Sequence, residues 1–300
     1  MKVLVTGGAG FIGSHLVENL VEENEVMVID NLDEGKREYI HKEAKFRKFD
    51  IQNKSKVKST VEDFKPEIIY HLAAYNDAMG SIDETEEAID TNIQGTVNIL
   101  EACIENDVEK IIYASSGGLS YGEPEQIPTT EDHQLEPVYP YGVTKTCGTL
   151  FIKDYSRRNN LDYAVCRLGS VYGPRANGGV IKNFFEKLRE NEKPIIYGDG
   201  KQTRDFIHVK DVVKGLRKAA DKGDGVYNIG NGIQTSVNEL IELIAEVIDQ
   251  DIDPIYKDRW EGDIDRCELS IDKAEKDLDW QPRESLKEGV TKCKQHYYTP

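Results

Sequence analysis

Short apolar runs alternate through the first half of the chain with longer stretches whose apolar residues recur every three or four positions. "KVLVT", "EVMVID", "KFRKFDI", "EIIYHLAA", "KIIYASS" and "DYAVCRLGS" read as strands separated by amphipathic helices. Continuous Val and Ile runs belong to strands covered on both faces, so the rhythm predicts an α/β fold with a doubly wound parallel sheet. Past about Gly169 the rhythm loosens into "GPRANGG", "YGDGKQTRDF" and "YNIGNG". The stretch "SVNELIELIAEVID" still keeps a helical period behind a Ser236/Glu239 capping box. The pattern predicts two units. One spans residues 1–169 with a returning segment at about 205–235, and a smaller lobe takes about 170–204 and 236–300. The cleft between them is the default site.

The first strand runs into "VLVTGGAGFIGSHL", which sets Gly8, Gly10 and Gly13 in G-x-G-x-x-G spacing, with Gly7 in addition, ahead of a helix. Glycines there let the backbone turn tightly and approach a pyrophosphate, which the helix N-terminus then faces. Asp30, 17 residues past Gly13 at the end of "EVMVID", suits the ribose hydroxyls of an adenosine and repels a 2′-phosphate. A Rossmann-type unit holding NAD, in preference to NADP, is the reading.

"PYGVTK" places Tyr141 and Lys145 on one face of a helix-length segment. A cation beside a phenol favours the tyrosinate, and with the positive nicotinamide ring it brings a pKa of about 10 towards neutrality. The phenol then becomes a general base. Among 15 tyrosines a second such pair occurs, Tyr197 and Lys201, but it spans the turn "YGDGK" and lacks a helix to align it.

The net charge of −17 excludes a nucleic-acid or anionic-membrane surface, so an anionic ligand must be held by local cations. Five cysteines without a C-x-x-C pair fit reduced thiols, and "MKVLVTGG" carries no leader pattern. The expectation is a cytoplasmic protein without membrane segments or a metal site.

The chain resembles the extended short-chain dehydrogenase/reductase family, NAD-dependent epimerase/dehydratase type, and within it the UDP-glucose 4-epimerase branch. The resemblance runs through "TGGAGFIGSHL", "HLAA", "TNIQGTVNIL", "ASSGGLSYGE", "PYGVTK", "CRLGSVYGPR", "DGKQTRDFIHVKD" and "EGD". It implies a bound NAD, a UDP-sugar in the second lobe, and a homodimer formed through the helices containing Asn92 and Tyr141. It further implies that Tyr141 takes the proton of the sugar 4-hydroxyl while hydride passes from C4 to NAD, and that Lys145 holds the nicotinamide ribose. Gly7, Gly10, Phe11, Ile12, Asp30 and Asn31 are implied cofactor contacts. So are Asp50 and Ile51 by the adenine, Leu72, Ala73 and Ala74 after "EIIYHL", and Asn92 and Ser115. For the substrate the resemblance implies Arg204 on the diphosphate, Tyr197 on the uridine, and Ser170, Val180 and Arg259. A surface ion pair with Asp205 or Asp211 is the alternative role for Arg204.

The chain departs from the family at Gly117, where a Ser or Thr usually bonds the sugar 4-oxygen. Ser116 is the nearest substitute and Ser120 the outsider; flexible Gly117 and Gly118 would let the backbone reorient Ser116, whereas a regular strand would turn it to the opposite face. Ser170 stands where the family commonly has Asn. Sugar-nucleotide 4,6-dehydratases carry Thr-Asp-Glu across Gly117, Gly118 and Leu119, and elimination needs such an acid and base. Cys267 occupies the family's size gate, small enough for 2-acetamido sugars. The expectation is therefore a 4-epimerase acting on UDP-glucose/UDP-galactose and on UDP-GlcNAc/UDP-GalNAc. A UDP-glucuronate 4-epimerase or decarboxylase, and a catalytically silent NAD-binding protein, are the alternatives.

Overall fold

In the computed structural model, which describes residues 1–298, seven parallel strands form the central sheet. Their spatial order is Gly225–Ile229, Asp162–Leu168, Lys110–Ser116, Ile68–His71, Lys2–Thr6, Glu25–Asp30, Lys45–Lys48. The chain starts inside the sheet at Lys2–Thr6, works outward to Lys45–Lys48, then returns to fill the other side. Connections diverge at that reversal, between Lys2–Thr6 and Ile68–His71, and leave a crevice at the carboxyl ends of the strands.

The apolar runs are buried on both faces because helices cover both. Val3 and Val5 enter one core with Leu16, Val17 and Leu216, whereas Leu4 enters the other with Val57, Ile99 and Ile152. The two-residue period thus distributes a single apolar run between two helical layers. One layer holds the helices Phe11–Leu20 and Val209–Lys222; the other holds Lys54–Phe64, Thr96–Glu105 and Tyr139–Arg158.

The second lobe has its own core, in which Tyr172, Phe184, Phe185 and Phe206 meet Leu240, Ile244 and Val290. Three helices, Val180–Arg189, Val237–Ile248 and Leu286–Tyr297, surround it with a small sheet of Ser170–Tyr172, Thr203–His208 and Gln234–Ser236. The helix Asp272–Leu278 lies elsewhere than the 236–300 boundary implies. Its Ala274 and Leu278, with Trp280, bury against Val212 and Leu216 on the large sheet, and the Trp280 indole donates to Asp211 O at 3.0 Å.

Both halves of the Ser236/Glu239 capping box form: Glu239 N donates to Ser236 Oγ at 3.1 Å and Ser236 N to Glu239 Oε2 at 2.7 Å. A second box, Ser285 with Glu288, starts the last helix. Replacing Ser236 by Ala removes a cap from the amphipathic helix at the centre of the small lobe. Ser236→Ala is expected to cost about 1 kcal/mol, read as a lower urea midpoint at unchanged m-value; an unmoved midpoint would show that the cap does not matter.

Candidate active site

The crevice at the reversal is a cavity of about 530 Å³, a size suited to a cofactor. Its floor is the glycine loop. Gly7 has φ +72°, and a Cβ there would lie 2.7 Å from Ala73 N; a Cβ at Gly13 would run into the Gly7 carbonyl. Only bare backbone fits this cradle. The helix Phe11–Leu20 starts at Gly10 with no capping side chain, so its N-terminus presents backbone N–H groups to an anion.

Phe11, Ile12, Asp30, Asn31, Asp50, Ile51, Leu72, Ala73, Ala74 and Ser115 line the same cavity. The Asp30 carboxylate accepts from Ala9 N at 2.9 Å and Leu32 N at 2.8 Å, while burial, the largest influence, raises its pKa. Asn31 donates to Asp50 Oδ2 at 2.7 Å. Two acids therefore stand together at one end of the cavity.

Tyr141 and Lys145 stand one turn apart on the helix Tyr139–Arg158, and both line the cavity. The backbone of Tyr141 is pinned twice, its amide donating to Ser81 Oγ at 3.1 Å and its carbonyl accepting from Thr144 Oγ1 at 2.9 Å. Asn92, expected on the cofactor, lies behind the wall. Its amide donates to Thr144 Oγ1 at 2.9 Å and to Tyr75 O at 3.0 Å, and its carbonyl accepts from Tyr75 N at 2.8 Å. These bonds use the side chain to brace Tyr141's helix.

The expected depression of the Tyr141 pKa is not a property of the protein alone. Burial pushes the phenol up to about 12 and pulls the Lys145 amine down to about 7. Desolvation disfavours both charged forms, so the tyrosinate forms only with a positive charge beside it.

Ser115 and Ser116 are successive residues of one strand and face opposite ways. Ser115 lines the first cavity, with its Oγ 3.4 Å from Thr149 Oγ1. Ser116 lines a second cavity of about 400 Å³ that shares Tyr141 and Leu168 with the first. The strand stays regular through Ser116, so strand alternation itself brings the hydroxyl to the Tyr141 side of the second cavity. At Gly117 a Cβ would lie 2.8 Å from Leu269 Cδ1 and 3.0 Å from Leu168 O. Leu269 thus fills the room a Ser or Thr would need.

Ser170, Arg204 and Cys267 also line the second cavity. A third, of about 430 Å³, continues from it through Ser170 and Arg204 and adds Val180. Arg204 is paired with Asp263 at 2.5 Å and donates to the carbonyls of Thr203 (2.8 Å) and Ile264 (3.0 Å). Neither expected partner is available: Asp205 is buried and accepts from the amides of Asn231, Gly232 and Leu269, and Asp211 caps Arg283 and Glu284. Arg259 pairs with Asp265 and lines none of the three cavities, and the Tyr197 ring lies tilted against Trp260, 4.7 Å between centroids.

Trp260 and Tyr139 line the second cavity unanticipated. Tyr139 takes φ +58° just before Pro140, a strained turn that swings its ring inward, and its phenol donates to Glu261 O at 3.1 Å. The signals were an exposed aromatic among charges in "RWEGD" and an aromatic before proline at a helix start. Among the described residues no cluster of His, Cys, Asp and Glu could hold a metal ion, and no helix is long and apolar enough to cross a membrane.

A family model described as "NAD dependent epimerase/dehydratase family" matches residues 3–230. The chain is 42 % identical over 293 residues to a putative UDP-glucose 4-epimerase of Methanocaldococcus jannaschii, covering 96 % of this chain and 95 % of that one. It is similar to the crystal structure of a UDP-glucose 4-epimerase with UDP-glucose from Thermotoga maritima, with TM-score 0.97, 38 % identity, and 99 % and 98 % of the two chains covered. A UDP-N-acetylglucosamine 4-epimerase from Methanobrevibacter ruminantium, in complex with UDP-N-acetylmuramic acid, matches at TM-score 0.93 and 33 % identity, covering 99 % of this chain and 97 % of that one.

Gly7→Ala forces a left-handed residue against Ala73. The variant is expected to fold yet purify with less than a tenth of the wild-type dinucleotide, measured by absorbance of the extract after denaturation. Wild-type occupancy would contradict the role of the cradle.

Proposed function

The chain belongs to the NAD-dependent epimerase/dehydratase family, and we propose that within its UDP-sugar 4-epimerase group it interconverts UDP-glucose and UDP-galactose, and UDP-GlcNAc and UDP-GalNAc. The observation that carries this reading is the place of Tyr141. Among the described residues only Tyr141 and Leu168 line both the dinucleotide cavity and the second cavity, and of the two only the phenol can move a proton.

Bound NAD supplies the hydride acceptor, and then the donor, for C4 of the sugar. Tyr141 Oη takes the 4-hydroxyl proton as the C4–H hydride leaves, which gives a 4-keto sugar; the keto sugar turns about its diphosphate link, and Tyr141 returns the proton as hydride adds to the other face. Lys145, charged, lowers the cost of the tyrosinate. Ser116 Oγ offers the sugar oxygen a hydrogen bond from the opposite wall. Arg204 exchanges Asp263 for the diphosphate, and Ser170 and Val180 border the nucleotide. The Gly117-Gly118-Leu119 stretch brings no acid or base for elimination.

Arg204 is the single cation among the described residues that line the second cavity. A sugar with its own C6 carboxylate would compete with the diphosphate for it, which favours neutral hexoses over glucuronate. Gly118 and Cys267 are small residues of the same wall. This part of the wall is the proposed seat of the acetamido group.

The purified protein, with no added NAD, is expected to bring each of the four UDP-sugars to equilibrium with its 4-epimer, followed by NMR. Tyr141→Phe is expected to lose at least 10³-fold in kcat, in line with removal of a general base, and Ser116→Ala at least tenfold. Full activity in Tyr141→Phe would overturn the mechanism; absence of any N-acetylated product would remove the hexosamine half.

Val143, Leu150 and Phe151 on the helix Tyr139–Arg158 are exposed, as is Ile89 beside it. This apolar stripe supports a homodimer. Leu150→Glu with Phe151→Glu is expected to convert a dimer to a monomer in light scattering; an unchanged mass would contradict the placement.

A further inference from the structure

The reading above needs Lys145 charged, yet Lys145 is only 2 % exposed and burial alone lowers its pKa to about 7. No acid forms an ion pair with it among the described residues. The carboxylates in the same cavity lining, Asp30, Asp33, Glu34, Asp50, Glu84 and Glu87, stand apart from it in that respect. What lies against Lys145 is an aromatic face: its Nζ is 4.2 Å from the centroid of the Tyr113 ring.

Tyr113 belongs to the strand Lys110–Ser116 and is 1 % exposed. Its ring is held from two sides. The His71 ring, from the neighbouring strand, lies at 5.5 Å between centroids. On the helix side Gly148 makes the space, since a Cβ there would collide with the Tyr113 hydroxyl and come within 2.9 Å of Cζ. That hydroxyl lies at the far edge of the ring, beside Thr96 and Gly148. The ring, and not the hydroxyl, is therefore the part of Tyr113 that faces function.

His71 adds no competing charge. Thr96 Oγ1 donates to Asn92 O at 2.6 Å, so it accepts from His71 Nε2–H at 2.9 Å, which leaves His71 Nδ1 to accept from Thr6 Oγ1 at 2.8 Å. Both ring nitrogens are satisfied in the neutral form. Burial, and then the charge of Lys145, hold the imidazole pKa at about 3. The titratable groups around Lys145 are thus Tyr141 on its own helix, Tyr113 and His71 from the sheet, and Cys147, which faces Tyr113.

We infer that Tyr113 is a positioning residue of this site: its ring face carries the Lys145 ammonium in a pocket without a counter-ion, and Gly148 and the hydrogen-bonded His71 fix that ring. The inference rests on the reading of Lys145 as the cation that activates Tyr141. Cation–π attraction is strongest where water is excluded, and here it replaces the carboxylate that a buried amine otherwise requires.

The test follows Lys145 directly, by NMR titration of ¹³Cε-labelled lysine in the NAD-bound protein without sugar, with the signal assigned through Lys145→Met. Tyr113→Leu is expected to lower the Lys145 pKa by about one unit, and Tyr113→Phe to leave it unchanged. A lower pKa means that the ammonium is lost at lower pH, so the basic limb of kcat moves down with it. At pH 8 kcat in Tyr113→Leu falls at least tenfold with KM for the UDP-sugar within about twofold, and Phe at 113 restores it. Gly148→Ala, which displaces the ring while keeping it, is expected to move the titration in the same direction as Tyr113→Leu. An unmoved Lys145 titration in both Tyr113→Leu and Gly148→Ala overturns the inference, as does equal loss of kcat in the Leu and Phe variants. Because the titration uses no sugar, it is independent of the epimerase reading, whose failure would appear as no interconversion by the wild type.

Discussion

A lysine buried without a counter-ion is the constraint on which the rest of the site depends. Burial makes such an ammonium give up its proton readily, and it keeps the Tyr141 phenol protonated. Both groups become useful only if positive charge is favoured on Lys145 and, through it, negative charge on Tyr141. The surroundings meet that condition with neutral groups: an aromatic face below the amine, a neutral His71 behind it, and hydroxyls of Thr6, Thr96 and Thr149 around them. The glycines on the helix serve the same end. Gly142 lets the helix touch the Leu119 backbone, and Gly148 lets it close on Tyr113.

Topology then gives the pair something to act on. The reversal of strand order opens a cavity for a dinucleotide, and the alternation of Ser115 and Ser116 puts the next hydroxyl in a neighbouring cavity. Tyr141 is the joint between them. From there the second cavity runs past Ser170 and Arg204 into a third cavity in the small lobe. In this strongly acidic chain the arginine that lines the second cavity, Arg204, is paired with a carboxylate, Asp263, and in the proposed function a diphosphate takes that carboxylate's place.

Much of this was legible because the chemistry is local in the chain. The strand runs, the glycine loop with Asp30, and the Tyr141/Lys145 spacing each lie within one element and its flanks, where period and turn chemistry decide the outcome. What stayed hidden depends on contacts between distant segments. Nothing in "KIIYASS" separates a core tyrosine from one beneath an amine, and the absent hydroxyl at Gly117 makes sense only once Leu269 is seen above it. The bracing role of Asn92 was hidden for a related reason: its position in sequence could not show that its amide donates to Thr144 and Tyr75 and its carbonyl accepts from Tyr75. The helix Asp272–Leu278 joined the large sheet because Trp280 found its partners there.

The central claim is that one face-to-face exchange of hydride, managed by Tyr141 and Lys145, inverts the sugar without net oxidation. The most direct measurement is to supply UDP-galactose deuterated at C4 to the purified protein in ordinary water and examine the UDP-glucose formed by NMR. The account predicts that deuterium stays at C4 of the product. Product carrying protium at C4 would contradict it, since the hydrogen would then have come from solvent by proton chemistry at carbon.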